Sequence, residues 1–210
     1  MGQVTAVRRS DSACVKKGPI HLVSDEPDLP YHKPPLSKAY LKDQTQDVQI
    51  LRAEKAYADA RIELALGRKV EALDRQARAI RFADGATLAY DRLVIAAGAA
   101  NRKLTIPGHK LRGLHSIRTR ADAAHLREAM DAASDIAVIG GGFIGLEAAA
   151  TFAMLGKNVT VVELAPSILG RAVSSLVAAH VDTEYRKLGI RVLTATGIER
   201  LEGEAGKVKA

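Results

Sequence analysis

A glycine-rich turn between two short apolar runs is the feature that most restricts how this chain can fold. Residues 140–145 read Gly-Gly-Gly-Phe-Ile-Gly and fit the pattern G-x-G-x-x-G. The apolar run 135–139 before the turn predicts a buried strand, and the Ala-rich run 146–155 after it predicts a helix that Gly156 ends. A second strand is predicted at 158–162, and Glu163 follows it. This order of strand, glycine turn, helix, strand and acid is typical of a dinucleotide-binding βαβ unit.

Each residue type in this unit has a physical role. Gly140 permits the tight turn, Gly142 lets the main chain approach a pyrophosphate, and Gly145 lets the helix pack closely on the strand. The helix N-terminus offers free N–H groups and partial positive charge to the phosphates. Glu163 comes 18 positions after Gly145 (163 − 145), close to the ~20 expected for a carboxylate that binds the adenosine ribose 2′-OH. The residues predicted to bind the dinucleotide are Gly140, Gly142, Phe143, Ile144, Gly145 and Glu163.

The residue at the end of the second strand also predicts which dinucleotide binds. Glu163 accepts a hydrogen bond from a free ribose 2′-OH but repels a 2′-phosphate, and residues 164–167 contain no Arg to neutralise one. NADH is therefore expected to be preferred over NADPH. The alternative is a glycine-rich turn without a ligand, which does not explain why an acid ends the second strand.

Composition excludes several classes of protein. The 210 residues suffice for one large or two small domains, and a hydrophobic content of 47% supports a packed core. No apolar run approaches the ~20 residues of a membrane span, and the first ten residues lack the apolar stretch of a signal peptide. We therefore expect a cytoplasmic protein with no membrane association. Because Cys14 is the single cysteine, this chain has no dithiol pair for disulfide chemistry, and no residue is assigned to a metal.

The chain is basic, with a formal net charge of +7. The Lys and Arg residues are scattered and aromatic residues make up only 4% of the sequence, too few to stack the bases of a nucleic acid. We therefore expect no nucleic-acid partner. A solvated basic surface is the favoured interpretation, and attraction to an acidic protein partner is the second.

The rest of the chain predicts an alternation of short strands and helices. Residues 1–18 show no clear period and are expected to lack regular structure. Residues 27–35 contain four prolines and predict an extended loop, and Ser37 is expected to cap a short helix at 38–41. Asp84-Gly85 predicts a hairpin turn. The other predicted strands are 19–23, 62–65, 69–73, 78–82, 87–89, 91–98 and 190–193, and the other predicted helices are 51–60, 121–133 and 173–188.

Three motifs together point to a known family. They are Pro-Tyr-His-Lys-Pro-Pro-Leu-Ser-Lys-Ala-Tyr-Leu at 30–41, Leu-Val-Ile-Ala-Ala-Gly at 93–98, and Val-Ile-Gly-Gly-Gly-Phe-Ile-Gly-Leu-Glu at 138–147. They resemble motifs of the FAD-dependent ferredoxin and rubredoxin reductases, members of the pyridine nucleotide-disulfide oxidoreductase superfamily. The resemblance implies an α/β fold with two Rossmann-like, three-layer domains that bind FAD and NAD(P)H. It also implies hydride transfer from NADH to FAD, followed by single electrons to a ferredoxin or rubredoxin-type iron–sulfur protein.

The resemblance assigns roles to residues outside the glycine turn. It implies that Lys38 and Glu147 form the catalytic pair where nicotinamide meets flavin; the alternative is two separate solvated charges. For Arg118 the alternative is an ordinary surface arginine. The residues implied to border FAD are Asp25, Lys38, Val70, Ala97, Gly98 and Arg118.

The chain also departs from the reductase pattern. Neither an apolar strand nor a glycine cluster is predicted before Pro19, so the strand at 19–23 is expected to have an unpaired side in its sheet. Ala97 replaces a usual Thr, and Lys33 stands where Arg is common. The expected organisation is an unassigned segment at 1–18, a partial FAD-binding domain at 19–110 and a shortened NAD-binding domain at 111–210.

Two functions follow. The first is an NADH:ferredoxin/rubredoxin oxidoreductase. The second is a non-catalytic, truncated remnant that is poorly stable, holds FAD weakly or not at all, and binds NADH at most. An NADH oxidase or nitrite reductase origin is less favoured, because residues 27–41 contain no cysteine.

Overall fold

The computed structural model describes Val4–Arg8 and residues 18–209. They divide into two compact units. The first contains the residues up to Lys33 together with Val48–Asn101, and the second contains Pro34–Asp47 together with Arg102 onward. The segment Pro34–Asp47 therefore belongs to the second unit, whereas the predicted boundaries at 19–110 and 111–210 place it in the first.

The first unit contains a four-stranded sheet in the order β3-β2-β1-β7. Its strands are β1 (Val4–Arg8), β2 (Ile20–Val23), β3 (Ile62–Ala65) and β7 (Arg92–Ala96). Strands β2 and β3 are parallel, whereas β1 runs antiparallel to both of its neighbours.

The expectation that no strand precedes Pro19 is wrong for Val4–Arg8. The segment Val-Thr-Ala-Val-Arg is rich in β-branched residues. No G-x-G-x-x-G pattern follows it, although this pattern is the signal for the first strand of a dinucleotide-binding unit. Pairing with β1 satisfies the main chain of β2 on one side and that of β7 on the other, so the expectation of an unpaired neighbour is also wrong.

A second sheet in this unit is an antiparallel meander of β4 (Val70–Asp74), β5 (Ala79–Phe82) and β6 (Thr87–Ala89). Gly85 has φ +85° between β5 and β6, which confirms the predicted hairpin turn. The core of the unit is formed by Val23, Ile80 and Phe82, with Ala65, Val70, Leu88, Tyr90 and Leu93 packed against it. Helix α2 (Glu54–Asp59) is shorter than the predicted 51–60.

The second unit is built on a parallel sheet in the order β10-β9-β8. The strands are β8 (Asp135–Ile139), β9 (Asn158–Val162) and β10 (Arg191–Leu193). Helix α4 (Phe143–Met154) connects β8 to β9 and α5 (Ser175–Lys187) leads to β10. This is the predicted βαβ unit, and its apolar strands and helices share one core.

Three further elements complete the unit. Helix α3 (Arg120–Asp131) begins with a capping box formed by Thr119 and Asp122. Strands β11 (Gly203–Glu204) and β12 (Lys207–Val208) form a small hairpin.

Helix α1 (Ala39–Lys42) follows a 3₁₀ turn at Pro34–Ser37. The prediction that Ser37 caps this helix is wrong, because the cap position is Lys38 and no side chain caps it. In the part of the chain that the structure describes, no helix is both long and apolar enough to span a bilayer.

Candidate dinucleotide site

The glycine turn between β8 and α4 has the geometry that its sequence predicts. Gly140 has φ +106°, a value that favours glycine. A Cβ on Gly145 would lie 2.2 Å from the carbonyl oxygen of Gly140, so only glycine allows this close approach. A Cβ on the exposed Gly142 would meet no heavy atom within 4 Å. The space beside Gly142 is open, as the approach of a pyrophosphate requires.

The helix after the turn begins earlier than predicted. Helix α4 starts at Phe143 with Gly142 as its N-cap, not at Leu146. Phe143 and Ile144 therefore occupy the first helical turn, where their side chains are more than half exposed. This turn contains no acidic residue, so no side chain of the helix's own first turn neutralises the positive end of its dipole.

The predicted start at Leu146 would place Glu147 in the first helical turn, and this placement is wrong. Glu147 is the fifth residue of α4, since the helix begins at Phe143. The helix dipole acts mainly within the first turn, so Glu147 gains little from it. A different contact must therefore fix this carboxylate.

Glu163 contacts the glycine turn directly. Its Oε2 accepts a hydrogen bond from the N–H of Gly141 at 2.6 Å, and its Oε1 accepts one from the N–H of Ala165 at 2.7 Å. The acid thus connects the end of β9 to the turn after β8. Each carboxylate oxygen keeps a second acceptor position, and the predicted bond to a ribose hydroxyl stays a prediction. Sequence spacing gave no sign of the contact with Gly141.

Lys38 and Glu147 form an ion pair. Lys38 Nζ lies 2.6 Å from Glu147 Oε2, although the residues are 109 positions apart (147 − 38). This confirms the predicted proximity and excludes two separate solvated charges. Lys38 Nζ also donates to the carbonyl oxygen of Pro34 at 3.2 Å, which holds the ammonium beside the 3₁₀ turn.

A second donor reaches the same carboxylate oxygen. Ser37 Oγ donates to Glu147 Oε2 at 2.7 Å. Burial acts to raise the pKa of Glu147, but the hydrogen bonds from Lys38 and Ser37 and the charge of Lys38 outweigh it and hold the pKa below its ordinary value. Burial, and then the charge of Glu147, raise the pKa of Tyr185. Glu147 is therefore an ionised carboxylate at neutral pH.

Arg118 precedes the capping box of α3. Its main-chain N–H donates to Asp122 Oδ2 at 3.1 Å. Its Nε is the one buried side-chain nitrogen or oxygen among residues 18–209 that has no hydrogen-bond partner. A buried donor without a partner is costly, which is compatible with the predicted contact to a cofactor.

In the first unit, the buried acid at the end of β2 is Glu26, next to the predicted Asp25. Glu26 is 8% exposed and accepts hydrogen bonds from Tyr31 Oη and Lys33 Nζ, each at 2.5 Å. Asp25 is partly buried. Sequence reasoning missed Glu26, although Tyr31 and Lys33 in the proline-rich loop are residues able to bind an acid.

The other candidates of the first unit lie on or next to its strands. Val70 is the first residue of β4 and packs against the core. Ala97 is partly buried just after β7, and Gly98 is exposed with φ +63°. Their contact with a flavin stays a prediction.

Among the described residues, the first unit lacks the arrangement of strand, glycine turn and helix that the second unit has. Strands β1 and β2 are antiparallel, whereas the dinucleotide βαβ unit needs parallel strands joined by a helix. Gly18 is the only glycine between Val4 and Pro19. Among the described residues of this unit, no glycine turn precedes β2.

The βαβ unit and its glycine turn define a dinucleotide-binding α/β protein, and comparison with known proteins gives the family. The model of the pyridine nucleotide-disulphide oxidoreductase family matches residues 2–210. The chain belongs to this family. The members that it resembles are FAD- and NAD(P)H-dependent reductases. The predicted fold class of two Rossmann-like domains is thereby confirmed.

Individual relatives are more informative about the branch of the family. Rhodocoxin reductase from Rhodococcus erythropolis is 40% identical over 191 residues, which are 90% of this chain and 45% of that protein. A ferredoxin–NAD(P)(+) reductase from a Sphingomonas species is 40% identical over 192 residues, 91% of this chain and 46% of that protein. The crystal structure of a ferredoxin reductase from Rhodopseudomonas palustris matches with a TM-score of 0.87 and 38% identity, over 91% of this chain and 47% of that one. The chain spans about half the length of the relatives it matches.

Proposed function

We propose that this chain binds NADH and takes part in NADH:ferredoxin or NADH:rubredoxin oxidoreduction, with FAD as the hydride acceptor. The observation that carries the proposal is the open main chain at Gly142, at the N-terminus of a helix without an acid in its first turn. The proposal takes its other parts from the ferredoxin reductases that the chain resembles. These parts are hydride transfer, single-electron transfer, the flavin and the iron–sulfur partner.

The turn supplies most of the NADH contacts in this proposal. The pyrophosphate lies beside Gly142 and accepts hydrogen bonds from the free N–H groups that open α4. Glu163 accepts from the adenosine ribose 2′-OH and disfavours a 2′-phosphate. The other residues proposed to line the dinucleotide are Gly140, Phe143, Ile144 and Gly145.

Lys38 and Glu147 are proposed as the catalytic pair at the reacting end of bound NADH. Glu147 lies five residues after Gly142 along α4, a rise of about 7.5 Å. The pair thus presents a cation and an ionised carboxylate one to two helical turns from the pyrophosphate. The hydrogen bonds described above hold both charges in place before any ligand arrives.

The proposed electron acceptor is a small iron–sulfur protein of the ferredoxin or rubredoxin type. The support is the ferredoxin named in the relatives and the net charge of +7, which attracts an acidic partner.

The structure of the first unit favours a second candidate, a chain that binds NADH without passing on electrons. The antiparallel strands β1 and β2 leave the described part of that unit without a pyrophosphate turn for FAD. The two candidates differ in colour and turnover. The reductase would be purified with flavin absorbance and would oxidise NADH with an iron–sulfur acceptor, whereas the second candidate would be colourless and inactive.

Substitution of Gly142 tests the NADH site. Gly142→Ala places a methyl group where the pyrophosphate is proposed to lie, without a clash in the protein. We expect NADH affinity, measured by calorimetry on the full chain, to fall at least tenfold while the melting temperature stays within a few degrees. Gly197→Ala is the control, because its Cβ would make only an ordinary contact, 3.6 Å from Leu164 Cδ1. Unchanged affinity in Gly142→Ala, or an equal loss in Gly197→Ala, would refute the proposed site.

A further inference from the structure

The 3₁₀ turn that precedes Lys38 is attached to α4 at two points one helical turn apart. At the first point, Ser37 Oγ donates to Glu147 Oε2 at 2.7 Å. At the second, Thr151 Oγ1 lies 3.0 Å from the carbonyl oxygen of Ser37 and donates to it. Glu147 and Thr151 are four residues apart and so lie on the same face of the helix. The side chain and the main chain of Ser37 are therefore both held by α4.

Both polar residues are removed from water. Ser37 is 5% exposed and Thr151 is 3% exposed. The Thr151 hydroxyl also lies 2.9 Å from the carbonyl oxygen of Glu147, the usual contact of a helical threonine with the residue four before it. Because the hydroxyl carries one proton, it shares that proton between the carbonyl oxygens of Glu147 and Ser37. The share on Ser37 links the turn to the helix.

We propose that Ser37 and Thr151 are positioning residues that set the Lys38–Glu147 pair. Thr151 fixes the carbonyl of Ser37, and Ser37 then presents its hydroxyl to Glu147 and places the next residue, Lys38, against the same oxygen. Neither Ser37 nor Thr151 needs to contact NADH for this role. The inference rests on the proposed function for its catalytic meaning, but its structural content can be tested without NADH.

Two other titratable groups lie near Glu147, and the test must separate their effects on its pKa from the effect of Ser37. Lys38 contacts the carboxylate from the segment before α1. Tyr185 on α5 donates its hydroxyl to the carbonyl oxygen of Leu146 at 3.0 Å and lies close enough to Glu147 for that charge to raise the pKa of the phenol. Neither Lys38 nor Tyr185 is substituted in the variants proposed below.

The test measures the pKa of Glu147 in the full chain. The pKa is obtained from the pH dependence of the carboxyl ¹³C shift, and the Glu147 signal is assigned with the variant Glu147→Gln. Ser37→Ala removes one donor from the carboxylate, and Thr151→Val releases the carbonyl of Ser37 while keeping the volume of the side chain. We expect an upward shift in the pKa of Glu147 in both variants. Thr151→Ser keeps the hydroxyl, so we expect it to titrate like the wild-type chain. This variant also provides a test of Thr151 if Thr151→Val fails to fold.

Two matched controls identify general effects of losing a hydroxyl. Thr183 on α5 makes the same contact to the carbonyl four residues before it, that of Ala179, and Ser134 donates to the carboxylate of Asp135 at 2.9 Å. We expect Thr183→Val and Ser134→Ala to leave the titration of Glu147 unchanged. An unchanged pKa in Ser37→Ala, or an equal shift in the controls, would overturn the inference. NADH is absent from all of these titrations. Failure of the NADH proposal would instead appear as an absence of NADH binding to the wild-type chain in a separate measurement.

Discussion

At the scale of single residues, Glu163 combines two roles. Its carboxylate accepts main-chain N–H groups from Gly141 and Ala165, and it is also the residue proposed to select NADH. A Cβ on Gly141 would lie 3.3 Å from Glu163 Oε2 and 2.8 Å from Ile168 Cγ2, so this part of the turn is closely packed. Glu163 therefore shapes the turn before a ligand binds.

Replacement of Glu163 by Gln should affect stability as well as specificity. An amide places an NH₂ group opposite one of two main-chain donors, where a carboxylate oxygen now accepts. We expect the free energy of unfolding in urea to fall by about 1–3 kcal/mol and the preference for NADH over NADPH to weaken. The exposed Glu128 on α3 offers a control, since Glu128→Gln should change neither quantity. Retention of the full NADH preference in Glu163→Gln would contradict the assigned role.

Residue-scale reasoning from sequence succeeded where the relevant partners are close along the chain. Gly140 and Gly145 have the backbone roles predicted for them, because their neighbours in the turn determine those roles. Ser37 was assigned a local capping role, but its hydroxyl partner lies 110 positions away. A short polar side chain can satisfy its hydrogen bonds locally or at long range, and sequence alone does not distinguish the two.

At the scale of elements, the segment Pro34–Asp47 is held to α3 by polar contacts. Arg127 stacks its guanidinium over the ring of Tyr40, with the central carbon 3.9 Å from the ring centroid. The same side chain donates to the carbonyl oxygens of Tyr40 at 3.1 Å and Gln46 at 3.0 Å. Gln44 donates to the carboxylate of Asp131 at 2.8 Å. These contacts explain why the segment belongs to the second unit.

Loss of the Arg127 side chain should loosen this segment. Arg127→Gln leaves main-chain carbonyls without their donor and removes the cation–π contact, at a combined cost of about 1–3 kcal/mol. We expect faster hydrogen exchange at the amides of Lys42, Asp43 and Gln46, measured by NMR on the full chain. Arg200→Gln, which removes an exposed ion pair with Glu202, is the control. Unaltered exchange at these three amides would show that Arg127 does not hold the segment.

Element boundaries show a similar division between local and long-range causes. The strands of the βαβ unit match the sequence because apolar runs bounded by polar residues and glycines determine them. Strand β1 was missed because two distant strands, β2 and β7, supply its hydrogen bonds. Helix α4 begins three residues before the predicted start, and its first turn includes Gly145 of the glycine motif.

At the scale of the whole molecule, the second unit carries the better-defined site. The first unit exposes apolar residues on β7, where Val94 and Ile95 are 60% and 65% exposed. Adjacent strand residues point to opposite faces, so both faces of this edge strand are open. Such an edge favours association between chains. The expected limited stability of the chain stays a prediction.

The central claim is that NADH binds at the turn between β8 and α4, and the most direct test is an NMR titration of the ¹⁵N-labelled full chain. With NADH we predict saturable shifts of the Gly142, Phe143 and Ile144 amides, at lower concentrations than NADPH requires. The hairpin amides of Gly85 and Gly206 should stay unmoved. Shifts confined to other parts of the chain, or no response at these three amides, would contradict the assignment of this turn as the NADH site.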